Sequence, residues 1–251
     1  MMSAGMSWPA LFLALLKANA DLKGKSYSGE KTPVHALHVR TLCEWFPDCS
    51  IIHLVRDPRS MLGALKRMPW ATHSALMSAR MWRLLNAAAS AVSTRNNYLM
   101  IKYEDLATHP EEQLHRLCTH IGLEYSDALL HPDPAEIADQ PEHQRSYQEI
   151  TSSRIALWRE ELKPWQVSAI ESIAGPDMAK YGYNRDTIAA TPWDMTRATA
   201  EAAKETALQL LVRSPSILYG IFRPANLADE QKWTDRASEL TRRLRSLPPR
   251  T

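Results

Sequence analysis

Glycine is scarce in this chain, eight in 251 residues, and its scarcity bears on what the chain can bind. A loop that cradles phosphate through successive backbone N–H groups leans on glycine. The early candidates, Ser3-Ala4-Gly5 and Gly24-Lys25-Ser26, follow no convincing apolar strand. Gly24-Lys25-Ser26 imitates the end of a phosphate loop, but no glycine precedes it in the pattern that loop requires. Cysteine is also sparse: Cys43, Cys49 and Cys118 lack metal-ligand spacing and fit buried thiols in a reducing compartment. Strong charge is missing too. A formal net charge of +2, without a dense basic run interleaved with aromatics, argues against a general nucleic-acid surface. The N-terminal apolar run, Trp8 to Leu16, is too short to span a bilayer, so no transmembrane segment is expected. Ala18-Asn19-Ala20 has the form of a signal-cleavage site, yet no Lys or Arg precedes the run. A cytoplasmic location is the expectation, with secretion the minor alternative.

What is present is an ordinary soluble composition, 45% apolar and 23% charged, in a length that suits one α/β domain with an appendage. The most informative stretch is Ile51-Ile52-His53-Leu54-Val55-Arg56-Asp57-Pro58-Arg59. A short β-branched run reads as a buried strand and ends in a charged turn, after which Ser60 to Arg67 begins a helix. Ligands of open α/β sheets bind at the carboxyl ends of strands. Helix N-termini there favour anions, and arginine forks onto phosphate or sulfate. The competing reading is local: such an arginine also pairs with a neighbouring aspartate, and Asp57 could be that partner or a helix cap.

Other segments follow this stretch in a fixed order. Glu30-Lys31-Thr32-Pro33 and Phe46-Pro47-Asp48 precede it. Tyr98 to Leu106, then Pro110 and Ile121-Gly122-Leu123, come after it. Ser152-Ser153-Arg154, Trp158-Arg159 and Lys180-Tyr181-Gly182-Tyr183 close the series. From about residue 10 to about 186, the series resembles the sulfotransferase superfamily, especially its bacterial and tyrosylprotein-type branches. The resemblance implies a P-loop-NTPase-like α/β fold, a parallel sheet flanked by helices. It implies transfer of a sulfuryl group from 3′-phosphoadenosine 5′-phosphosulfate (PAPS) to a hydroxyl or amine, without a metal. Its partners would be that nucleotide donor and an acceptor the sequence does not identify. Arg56 matches the arginine of the donor's 3′-phosphate, with Arg59 and Ser60 beside it. Tyr103 matches a tyrosine near the adenine, although a packed strand-end aromatic is an equal alternative. Ser153 and Arg154 match a late segment that closes over the 3′-phosphate. For Glu104 and Asp105, helix capping is the simpler reading.

The sequence departs from the family in two places. Ala64 stands where a serine usually adds a donor to the 3′-phosphate, a loss of about 1 kcal/mol. The first strand and its 5′-phosphosulfate loop have no counterpart, so the fold is expected to be N-terminally incomplete. The absent strand would then lie between the Ile51 and Tyr98 strands. The upstream catalytic glutamate also has no clear match. His35, His38 and Glu30 are local stand-ins without an alignment, and Lys31 is the candidate for contact with the sulfuryl group. A degenerate, non-catalytic protein that binds the product PAP is the alternative to an active transferase.

The remaining pattern predicts helices over 9–23, 34–46, 74–94 and 111–121. Met77, Met81 and Leu84 fall on one face of the long helix and are expected in the core. Trp82 and Arg83 are expected near an acceptor cleft. Pro164 and Gly175-Pro176 should interrupt the helices between Trp158 and Tyr181. A proline-rich loop over 131–142 is expected near the acceptor. The domain reading is 1–186 for the α/β part and 187–251 for a helical C-terminal extension, whose Arg236, Arg242, Arg243 and Arg245 read as a solvated face.

Overall fold

A computed structural model describes residues 7–68, 74–131, 150–186 and 191–222, the last stretch with side chains to Ala207. The expected acceptor loop at 131–142, apart from His131, and the tail arginines lie outside the described residues. The chain divides into two units: residues to Lys31 with those from Ala207 onward, and Thr32–Thr206. In the first unit, helix α1 spans Trp8–Leu22, with Ser7 as its cap and Pro9 in its first turn. Among the described residues no helix is long and apolar enough to cross a membrane.

The second unit holds the sheet. A 3-10 turn, Pro33–His38, leads into α2, Val39–Trp45. Strand β1, Ile51–Val55, is followed by α3, Pro58–Leu65, and α4, Ala75–Ser90. Strand β2, Tyr98–Lys102, then pairs with β1 in parallel, Ile51 opposite Tyr98 and Val55 opposite Lys102. Two helices fill the connection, as a parallel crossover requires. After β2 come α5, Tyr103–Thr108, and α6, Pro110–Ile121. Helix α6 ends at Gly122, whose φ of 71° is left-handed and favours glycine. The described chain resumes with a 3-10 turn at Ser152–Arg154, α7 at Trp158–Glu161, α8 at Pro164–Met178 and α9 at Pro192–Phe222.

The direct pairing of β1 with β2 corrects one expectation: no strand fits between them. Strand β1 is also only half buried. His53 and Val55 face the core, whereas Ile52 and Leu54 face solvent, the period-two alternation of a one-sided sheet. The core lies on the covered side, where α4 packs on α8 around Val55, Leu62, Trp82, Ile170 and Met178. Full burial of a Leu or Ile contributes roughly 1.5–3 kcal/mol. The start of α9 joins this core through Ala198 and Ala202. Its Glu201 accepts the Ala75 N–H at the head of α4 and the Gln166 amide of α8.

Helix α4 is rotated relative to the face its apolar pattern suggests. Met81 is 44% and Leu84 53% exposed, while Ala75, Ala79, Trp82, Asn86 and Ala89 are buried. Small residues let α4 approach α8, which buries Ala169, Ala174 and Gly175, so closeness rather than side-chain bulk selects the face. Helix α8 also runs unbroken through Gly175 and Pro176 to Met178; the proline sits in the last turn.

His53 links the sheet to α4. Its Nδ1 accepts the Tyr98 hydroxyl at 2.6 Å and its Nε2 donates to Asn86 Oδ1 at 2.8 Å, a tautomer assigned from the network. Asn86 in turn donates to the Trp82 carbonyl. Burial lowers the His53 pKa below the ordinary 6.5, and the Asn86 hydrogen bond only partly opposes this. Below that ordinary value the unfolded chain binds a proton that the folded chain refuses. This contribution to stability is therefore complete above 6.5 and lost as pH falls beneath it. Melting temperature should drop between about pH 7 and pH 5.5, and His53→Gln should shrink that drop. Identical pH profiles for parent and variant would refute the assignment.

Candidate anion site at the end of the first strand

At the carboxyl end of β1 the chain turns through Arg56 and Asp57 into α3. The peptide joining these residues is held at both polar groups. The Arg56 carbonyl accepts the Trp82 indole N–H at 2.8 Å. The Asp57 N–H donates to Glu104 Oε1 at 3.0 Å. The Arg56 guanidinium lies over the Tyr103 ring, 4.1 Å from its centroid, a cation–π arrangement. Its Nε is buried and has no hydrogen-bond partner among the described residues. An unsatisfied buried donor costs roughly 1–3 kcal/mol, more when charged, and an anion would remove that cost.

Arg59 is engaged differently. Its Nε and one terminal nitrogen donate to Asp57, at 3.0 and 2.6 Å to the nearest oxygens. The other terminal nitrogen donates to Glu171 at 2.6 Å. The guanidinium also lies 4.3 Å from the Trp158 ring centroid. Arg59, Asp57 and Glu171 are 5%, 6% and 3% exposed. Burial opposes the Arg59 charge, but the hydrogen bonds and fields of Asp57 and Glu171 outweigh it and raise the pKa. Asp57 also caps α3 by accepting the Arg59 N–H, so an internal carboxylate occupies that helix N-terminus.

The other anticipated residues divide in the same way. The Ser60 hydroxyl donates to the Ile155 carbonyl at 2.8 Å, fastening α3 to the segment after Ser152–Arg154. That 3-10 turn packs against α5, which begins at Tyr103, so Ser153 and Arg154 come to the same end of the sheet as Arg56 and Tyr103. Ser153 is exposed and Arg154 half-buried. Lys31 is an exposed residue at the end of the first unit. Among the described residues no cluster of His, Cys, Asp or Glu is arranged to hold a metal ion.

Trp82 is 2% exposed and belongs to the core, which corrects its expected place in an acceptor cleft. Arg83 instead pairs with Asp177. Sequence reasoning also missed the part of Glu104. Read as a helix cap, it accepts the Asp57 N–H with one oxygen and the Tyr183 hydroxyl, at 2.6 Å, with the other. Burial, then the Glu104 hydrogen bond, raise the Tyr183 pKa and keep it protonated as the donor. Both residues lie in segments already singled out, Tyr103-Glu104-Asp105-Leu106 and Lys180 to Tyr183, so the signal was their joint presence rather than either position alone.

The model of the Sulfotransferase family matches residues 6–127, which include β1, the Arg56 turn and Tyr103. An omega-hydroxy-beta-dihydromenaquinone-9 sulfotransferase of Mycobacterium tuberculosis is 27% identical over 173 residues, 62% of this chain. The chain is similar to proteins of the sulfotransferase family. Its match spans 41% of the length of that mycobacterial relative. A carbohydrate sulfotransferase 7 of Mus musculus is 33% identical over 97 residues, 36% of this chain and 20% of the relative. The fold agrees with solved sulfotransferase domains. The domain from the Synechococcus PCC 7002 olefin synthase superposes with a TM-score of 0.56 at 22% identity, covering 68% of this chain and 64% of that one. The domain from the curacin biosynthetic pathway gives 0.55 at 18%, covering 69% of each. In this chain the small parallel sheet flanked by helices carries the strand-end turn that holds Arg56.

Proposed function

We propose that this chain binds PAPS through Arg56 and transfers its sulfuryl group to a hydroxyl acceptor. The observation that carries the reading is the buried Nε of Arg56, which lacks a partner among the described residues while the guanidinium rests on Tyr103. A guanidinium fork with free donors matches the planar, paired recognition of a phosphate. Arg59 is not assigned to the donor, because Asp57 and Glu171 already take its hydrogen bonds. Ser153 and Arg154 are proposed as further contacts to the same 3′-phosphate, from the turn packed on α5. In the reaction the bond from sulfur to the donor's phosphate oxygen breaks and one to the acceptor oxygen forms. The acceptor's hydroxyl proton passes to solvent water, and PAP departs with the electron pair of the broken bond. A hydroxyl is favoured over an amine because the mycobacterial relative's name specifies an omega-hydroxy compound and the murine one's a carbohydrate.

Thermal unfolding with and without PAP tests the donor site. PAP at 100 times its dissociation constant should add about 2.7 kcal/mol of stability. ADP, without a 3′-phosphate, should add much less, and Arg56→Ala should abolish the PAP-specific part. An equal shift in that variant would refute the site. PAP binding without turnover on a broad hydroxyl panel would refute the transferase reading and leave a nucleotide-binding protein.

A further inference from the structure

We infer that Glu104 is a positioning residue for the anion site, holding the Arg56–Asp57 peptide so that the Arg56 guanidinium stays over Tyr103. The inference rests on the proposed binding of a 3′-phosphate at Arg56.

The argument begins with one peptide unit. Its carbonyl, from Arg56, is fixed by the Trp82 indole, and its N–H, from Asp57, by Glu104 Oε1. A peptide held at both polar groups cannot rotate without breaking a hydrogen bond, so the Cα–Cβ direction of Arg56 is set. Glu104 follows Tyr103 directly, so the residue that fixes the arginine's backbone adjoins the ring beneath its side chain. The second carboxylate oxygen accepts the Tyr183 hydroxyl at 2.6 Å, which fixes the carboxylate in turn. The Lys102 ammonium lies 4.6 Å from the Tyr183 ring centroid and ties that ring back to the end of β2. Three segments far apart in sequence therefore meet at Glu104. Its carboxylate acts through the arginine and need not touch the nucleotide. A positioned donor is worth more than a mobile one, because no ordering cost is met on binding.

Binding of PAP and of adenosine 5′-monophosphate, which lacks the 3′-phosphate, should be measured by calorimetry on the full chain and its variants. Glu104→Ala should weaken PAP about tenfold or more and leave adenosine 5′-monophosphate nearly unchanged. Glu104→Gln retains an oxygen for the Asp57 N–H and should stay within about threefold of the parent. In the Arg56→Ala background, Glu104→Ala should add no further loss of PAP, because the two act on one contact. Parental PAP affinity in a folded Glu104→Ala would overturn the inference, as would an equal loss in Glu104→Gln or additive losses in the double variant. Should Glu104→Ala not fold, Tyr183→Phe decides: it keeps the ring and deletes the donor to Oε2, and parental affinity there overturns the inference. A parent that fails to prefer PAP, or an Arg56→Ala that binds it normally, would instead mark failure of the donor site itself.

Discussion

Arg59→Ala should destabilise the protein by about 3–5 kcal/mol, the penalty for breaking a buried ion pair from one side. The variant removes the guanidinium that bridges Asp57 and Glu171, which are 6% and 3% exposed. Backbone partners remain, the residue 59 N–H for Asp57 and the Asp186 N–H for Glu171, but neither carries a full positive charge. Against a typical total of about 5–15 kcal/mol, the loss brings the protein close to unfolding. Urea unfolding measures this; a loss under about 1 kcal/mol would contradict the buried triad. Arg56→Ala, three positions earlier, should leave stability within about 1 kcal/mol, because it removes a donor that has no partner. The two arginines of one short motif thus give opposite results, one in stability and the other in binding.

Trp82→Ala should cost about 3–5 kcal/mol, the usual range for truncating a buried aromatic. The indole is 2% exposed, sits in the main core cluster and meets the Tyr181 ring edge-on at a centroid distance of 5.6 Å. Its N–H also satisfies the Arg56 carbonyl, so the substitution opens a cavity and orphans an acceptor together. Trp82→Phe separates these effects. It keeps most of the packing, loses the hydrogen bond and should cost about 1–3 kcal/mol. Comparable losses in the two variants would mean that the hydrogen bond dominates, and a negligible loss in Trp82→Ala would contradict the core position. Chemical unfolding with a check for unchanged m-values suffices.

Local chemistry was legible in the chain. The β-branched run Ile51–Val55 and the Asp57 cap were readable, because each depends on neighbours within a few residues. The family was legible as well, from motifs kept in order. What the order of motifs could not reveal was which of two nearby arginines is spent inside. Arg59 meets Glu171 across 112 residues, and no local pattern announces such a contact. The same holds for the α4 face that packs on α8, where small residues outrank Met81 and Leu84 through helix–helix closeness. It holds again for Glu104, a plausible cap in sequence and a junction of three segments in space. Short-range propensity and motif order were enough to set the elements, the likeness to sulfotransferases and the arginine at a strand end. Which charges are neutralised internally, and which donor is left without a partner among the described residues, depends on distances between residues the chain keeps far apart.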